Sequence, residues 1–209
     1  SGGPDSTALL LLAARWRERR GEGPQLIAAT VDHGLRTASK KEARSVAKLA
    51  EKLGIAHHIL EWKGRKPKTG VQEAARDARF ALLSALAKEA GADVLMTAHT
   101  RDDQAETLLH RIGRGSGLSG LGGIRRMHKR DGILLARPFL DLPKARLIAT
   151  LKKARIAFAS DPTNRDAKYL RPRLRKLAPN WRAPNNPRSR YPDVRSDTLP
   201  SGAIRSWRS

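Results

Sequence analysis

The sequence contains no cysteine, few aromatic residues and no long apolar run. Without cysteine, the chain cannot carry a disulfide framework, a thiolate metal site, an iron–sulfur cluster or a mechanism that holds sulfur on a thiol. No apolar run approaches the roughly 18 residues that a membrane-spanning helix needs, and no basic-then-apolar leader opens the chain. We therefore expect a cytoplasmic protein without a membrane partner.

Negative charge is also scarce relative to positive charge. The 42 Lys and Arg residues outnumber the 20 Asp and Glu residues, which leaves a formal net charge of +22 over 209 residues. Such an excess is typical of a protein with a polyanionic partner, either nucleic acid or an anionic membrane. The hydrophobic fraction of 39% is ordinary once glycine is counted, so the chain can bury a core.

Short apolar runs alternate with longer helical patterns along the chain. This alternation predicts an α/β fold in which helices cover both faces of a mostly parallel sheet. The predicted strands lie at residues 26–31, 57–62, 94–98 and 133–136. The predicted helices lie near residues 6–20, 38–53, 71–90, 102–114 and 143–154.

The two ends of the sequence differ from the middle. The chain begins directly in a glycine-rich loop, which needs a preceding strand to orient it, so we expect the first strand to be missing from this chain. Residues 179–209 contain five Pro and six Arg without apolar periodicity. This composition predicts a disordered or aberrant tail after a domain that spans residues 1–178.

The glycine-rich loop at residues 1–6 reads SGGPDS and leads into an apolar helix. Gly2 and Gly3 allow an anion to approach the backbone, and the helix N-terminus favours a phosphate. Asp5 would repel a bare phosphate, so its predicted role is to hold Mg²⁺ between phosphates. Hydroxyl donors to phosphate are available from Ser1, Ser6 and Thr7. The alternative is an ordinary glycine turn with Asp and Ser as helix caps.

Two further motifs follow predicted strands. Asp32 and His33 lie in the segment VDHGLR, where they are either ligand contacts at the sheet edge or a turn aspartate and an exposed histidine. His99 precedes a helix on which Asp103 and Glu106 share one face, in the segment AHTRDDQAET. These two acids either bind a ligand or only complement the helix dipole.

These motifs, together with DPTN at residues 161–164, stand in the order found in a known family. Over about residues 1–178 the chain resembles the N-type ATP pyrophosphatases (PP-loop proteins), and among them the tRNA(Ile)-lysidine synthetases. The resemblance implies a ligase that uses ATP and Mg²⁺ to adenylate the wobble cytidine of an isoleucine tRNA with a CAU anticodon. Free lysine then displaces AMP and leaves lysidine.

The resemblance also implies roles for individual residues. Asp5, His99 and Arg171 are expected at the reaction centre, with His99 as a nucleotide contact or a general base. Adenosine is expected against Asp32 and His33. The lysine ammonium is expected at Asp103 and Glu106. Arg114 is expected to bind substrate.

The lysines of residues 63–68 are expected to contact the tRNA backbone through Lys66 and Lys68, although a lone charge run is usually only solvated. Thiolating relatives need cysteines, which this chain lacks. An amide ligase of the NAD or GMP synthetase kind and a non-catalytic basic RNA-binding protein remain as alternatives. A homodimer is left open.

Overall fold

The computed structural model describes residues 2–34, 38–64, 66–116 and 122–159, and these ranges contain five helices and five strands. The elements are α1 (Pro4–Arg20), β1 (Ile27–Asp32), α2 (Ala38–Lys52), β2 (Ala56–Glu61), α3 (Val71–Glu89), β3 (Val94–Met96), α4 (Arg101–Gly113), β4 (Met127–Arg130), β5 (Ile133–Ala136) and α5 (Lys144–Lys153). Every element predicted from the sequence in this part is confirmed, with bounds that differ by about two residues at most.

The described strands form two hydrogen-bonded groups rather than one continuous sheet. β1 pairs with β2 in parallel, and β5 lies between a parallel β3 and an antiparallel β4. Helix α3 contacts β1, β3 and β5 and so connects the two groups. The sequence predicted one sheet because alternation along the chain indicates strand direction but does not specify which strands are neighbours.

The β4–β5 hairpin closes through a two-residue turn. Asp131 and Gly132 both adopt positive φ, at 53° and 85°. A two-residue hairpin turn with left-handed backbone at both positions matches the twist of the flanking strands, and Asp–Gly is a favoured pair for it. The turn sets the register that places Met127 opposite Ala136.

Helix α1 is held in place by two hydrophobic clusters. Ala8 and Leu11 pack with Phe139 and with Leu147 and Leu151 of α5. Ala14, further along the helix, packs with Ala50 of α2 and Ile55, which follows it. The direction of α1, and therefore of the loop before it, is fixed by packing with both neighbouring helices.

None of the helices that the structure describes combines the length and the apolar character needed to cross a bilayer.

Replacing Leu151 with alanine should destabilise the fold, because this side chain is fully buried between α5 and α1. We expect the free energy of unfolding in urea to fall by about 2–5 kcal/mol, as for other buried leucines. Ile112 on α4 is 57% exposed, and its replacement with alanine should change the free energy by no more than about 0.5 kcal/mol. Equal losses in the two variants would contradict the packing of α5 against α1.

Candidate active site at three helix N-termini

Three helices begin close to one another at one edge of the fold. Lys144, the first residue of α5, donates from its Nζ atom to the Oδ2 atom of Asp5 in the first turn of α1, at 2.6 Å. Its backbone N donates to the Oδ2 atom of Asp102 in the first turn of α4, at 2.8 Å. The positive ends of three helix dipoles therefore face one region.

The glycine-rich loop is held by hydrogen bonds to its own carbonyl groups. The carbonyl oxygen of Gly3 accepts from Ser6 Oγ at 3.1 Å and from Thr7 N at 3.0 Å. That of Gly2 accepts from Thr7 Oγ1 at 3.3 Å and from Ala159 N at 2.8 Å. The hydroxyls of Ser6 and Thr7, which were predicted to donate to phosphate, thus donate to the loop in this structure. Ser1 lies outside the described residues.

Asp5 carries an oxygen that is available to a cation. Burial raises the pKa of Asp5, the ammonium of Lys144 lowers it, and the carboxylates of Asp103 and Asp102 raise it further. Its Oδ1 atom is buried and has no hydrogen-bond partner among the described residues. The described part of the chain contains no group of three histidine or acidic side chains able to hold a metal. A Mg²⁺ ion at Asp5 would therefore take its other ligands from phosphate oxygens and water, as Mg²⁺ usually does.

His99 lies between β3 and α4 with its Nδ1 atom 3.0 Å from Thr97 Oγ1. Burial lowers the pKa of His99 to about 4; Asp103 opposes this shift, whereas Arg137 and Arg79 reinforce it. The imidazole is therefore neutral near pH 7 and can accept a hydrogen bond, but as a base it is weaker than a solvent-exposed histidine.

The two acids that share a face of α4 have different surroundings. Asp103 Oδ2 accepts from the backbone N of Thr100 at 2.8 Å and from its hydroxyl at 2.9 Å, which forms a capping box. Glu106 lies one turn further on and is only 5% exposed. Helix capping thus accounts for one oxygen of Asp103, whereas the buried carboxylate of Glu106 remains the better candidate for an ammonium ligand.

Asp32 connects the end of β1 to the start of α2. Its Oδ1 atom accepts from Ser39 Oγ at 2.6 Å and from Gly34 N at 2.9 Å, and these bonds lower the pKa of the carboxyl group. A pocket of about 300 Å³ opens beside it and is lined by Lys40, Ala43, Arg44, Ile59 and Glu61. Asp32 therefore organises this turn through hydrogen bonds to Ser39 and Gly34.

His33 contacts Trp62 edge to face, with ring centroids 6.0 Å apart and an interplanar angle of 85°. Burial lowers the pKa of His33, and its Nδ1 atom is buried without a hydrogen-bond partner among the described residues. A neutral imidazole with an unused nitrogen is able to hydrogen-bond a nucleoside.

The other basic residues predicted to contact substrate have different surroundings. The ammonium of Lys66 binds the carbonyl of Trp62 and lies 4.2 Å from the centre of its ring, so it is engaged locally. Lys68 is exposed. Arg114 is exposed and caps the C-terminus of α4, at the opposite end from Asp103. Arg171 lies outside the described residues.

Sequence reasoning missed several basic side chains near the site. Arg137 follows β5, is 4% exposed and donates from Nη1 to the carbonyl of Arg125 at 2.6 Å. Arg79 on α3 disfavours protonation of both His33 and His99. Lys144 was also overlooked. The available signal was positional, since Arg137 and Lys144 both follow the strand predicted at residues 133–136.

A glycine-rich loop before the first helix, next to side chains at the ends of parallel strands, is an arrangement of α/β nucleotide-binding domains. Within that class, the PP-loop domain matches residues 1–181 of this chain. The chain therefore belongs to the PP-loop domain family of ATP-binding domains.

Curated relatives carry a more specific name. The chain is 60% identical over 183 residues to a tRNA(Ile)-lysidine synthase of Bradyrhizobium diazoefficiens, which covers 88% of this chain and 51% of the relative. It is also 60% identical over 183 residues to that of Rhodopseudomonas palustris, which covers 88% of this chain and 53% of the relative. The chain thus spans about half the length of the curated relatives that it matches.

A solved structure confirms the predicted α/β fold class. The U34-tRNA thiolase NcsA from Methanococcus maripaludis superimposes with a TM-score of 0.72 at 19% identity, covering 86% of this chain and 63% of that one. At this identity the comparison concerns the fold alone.

NMR titration of the His99 ring in the folded chain should give a midpoint near pH 4, against about 6.5 in the urea-unfolded chain. Because the folded pKa is the lower one, protonation favours unfolding, and stability should decrease as the pH falls from about 6.5 towards 4. In a His99→Gln variant the loss of stability between pH 7 and 5 should be smaller. A folded midpoint above pH 6 would contradict the burial argument.

Proposed function

We propose that this chain performs the ATP-dependent chemistry of lysidine formation on an isoleucine tRNA with a CAU anticodon. The cytidine at the wobble position is activated with ATP, and free lysine is then joined to its 2-position, which releases AMP and pyrophosphate. Lys144 contacts Asp5, next to the glycine-rich loop, and Asp102 at the N-terminus of α4. This link between the loop and α4 is the single observation that carries the proposal. The relatives at 60% identity support the same assignment.

The first step is adenylation. The 2-carbonyl oxygen of the cytidine attacks the α-phosphorus of ATP, and the bond to the β-phosphate breaks as pyrophosphate takes the electron pair. We assign the phosphates to the N-terminus of α1 and the glycine-rich loop, and the nucleoside to His33. Mg²⁺ held by Asp5 would neutralise the charge that develops on the pyrophosphate.

The second step is attack by lysine. Its ammonium loses one proton to solvent, the free amine forms a bond to the 2-carbon of the cytidine, and AMP leaves with the electron pair of the C–O bond. The nitrogen then loses a second proton. His99 is neutral near pH 7 and lies directly before α4, so its ring can accept a hydrogen bond from the attacking amine and orient it. Glu106 is buried on α4 and provides a negative charge for an ammonium group of lysine. This group is either the α-ammonium or the ε-ammonium before it loses its proton.

The tRNA partner is supported by charge. A net charge of +22 favours a polyanion, and exposed basic residues such as Lys68 and Arg114 are accessible to phosphates. This function belongs in the cytoplasm, where tRNA and free lysine are available. Neither adenylation nor the attack by lysine, as proposed for the described residues, requires a second copy of the chain.

Exchange of labelled pyrophosphate into ATP, measured with tRNA and without lysine, tests the first step. Replacing Asp5 with asparagine removes the charge that would hold Mg²⁺, and the exchange rate should fall by about 100-fold or more. Glu18→Gln, an exposed change on the same helix, should leave the rate unchanged. Release of ADP and phosphate instead of AMP and pyrophosphate by the unaltered chain would exclude adenylation.

The two acids of α4 can be separated by kinetics and stability. Glu106→Gln keeps the side-chain shape but removes a charged partner, so KM for lysine should rise about 10- to 100-fold while pyrophosphate exchange persists. Asp103→Asn weakens the capping box, so the melting temperature should fall. An unchanged KM in the Glu106 variant would remove the only lysine contact that this proposal takes from a buried acid.

A further inference from the structure

Lys144 is a charged residue that the two steps above leave without a role. Its ammonium lies 2.6 Å from Asp5 across 139 residues of sequence, and both side chains are mostly buried, with exposures of 28% and 21%. Asp5 is the residue to which the proposed function assigns Mg²⁺. The ammonium at the Oδ2 atom therefore lies beside the Oδ1 atom to which the proposed function assigns the metal.

We propose that Lys144 binds the pyrophosphate that leaves during adenylation. In the nucleotide-free chain its ammonium neutralises Asp5, and with ATP bound it contacts oxygens of the β- and γ-phosphates while Asp5 holds the metal. This inference rests on the proposed use of ATP and identifies a further residue for it.

The local charges require a cation at this position. Lys144 donates to both Asp5 and Asp102, and Asp103 is the next residue of α4, so three carboxylates lie close together. A phosphate chain beside them would be repelled unless positive charge were supplied. Among the described residues, Lys144 is the base that forms an ion pair with Asp5.

The position of Lys144 is fixed while its ammonium can move. Asp102 accepts the backbone N–H of Lys144, and Leu147 and Leu151 of the same helix pack against α1. The flexible four-carbon side chain can carry the charge from Asp5 to a nearby phosphate without a backbone change. Because one anionic partner replaces another, the ammonium keeps a counter-charge throughout.

The contribution to the reaction is electrostatic. When the bond between the α-phosphorus and the bridging oxygen breaks, the electron pair stays on pyrophosphate and adds negative charge there. The ammonium stabilises this charge and remains protonated throughout, so no proton transfer is required of it.

Calorimetric binding of inorganic pyrophosphate with Mg²⁺ to the full chain tests the inference, with AMP as the comparison ligand. Lys144→Met should weaken pyrophosphate binding by about 10-fold or more but AMP binding by no more than about twofold, because AMP lacks the phosphates concerned. Lys144→Arg should restore most of the affinity. Lys152→Met, an exposed change in the last turn of α5, should have no effect.

Three outcomes would overturn the inference. In the first, Lys144→Met lowers the melting temperature but leaves pyrophosphate affinity unchanged, which makes the ion pair purely structural. In the second, AMP and pyrophosphate weaken equally. In the third, the unaltered chain binds no pyrophosphate, which also removes the proposed use of ATP. If pyrophosphate binds as expected but no lysidine forms with tRNA and lysine, the proposed function fails while the role of Lys144 stands.

Discussion

The contact between Lys144 and two acidic residues is the constraint on which the candidate site depends. The side chain of Lys144 pairs with Asp5 of α1, and its backbone pairs with Asp102 of α4. Because Leu147 and Leu151 also pack α5 against α1, the ion pair and the hydrophobic contact fix the same helices. The glycine-rich loop, the start of α4 and the start of α5 therefore keep a common geometry.

Charges of both signs are arranged around this point, as the proposed chemistry requires. Carboxylates at the starts of α1 and α4 attract a metal ion or an ammonium, whereas Arg79 and Arg137 make the surroundings of His99 positive. The phosphates of ATP are negatively charged, whereas Mg²⁺ and the ammonium groups of lysine are positively charged. A site with charges of only one sign would repel one of these ligands. Together with burial, the positive side also keeps His99 neutral, so its ring can accept a hydrogen bond near pH 7.

Much of this arrangement was predictable, but not the contacts that hold it together. The glycine-rich loop, the helix after it and the strand before His99 follow from local patterns that depend on neighbouring residues. Lys144 pairs with a residue 139 positions away, and that pairing arises only when α1 and α5 share a core. The burial of Arg137 likewise depends on the β4–β5 hairpin folding over it. Local periodicity contains no information on either contact.

Sequence spacing could not separate helix capping from ligand binding at Asp103 and Glu106, but burial can. An acidic side chain in the first turn of a helix interacts favourably with the helix dipole, and it does so even when it is exposed to solvent. Asp103 lies in that turn and bonds to Thr100, so capping explains its position. Glu106 lies beyond it, and burying a carboxylate at 5% exposure costs free energy that capping does not offset. Of the two acids, Glu106 is therefore the one whose burial capping does not explain, which makes it the better candidate for a contact with the lysine ammonium.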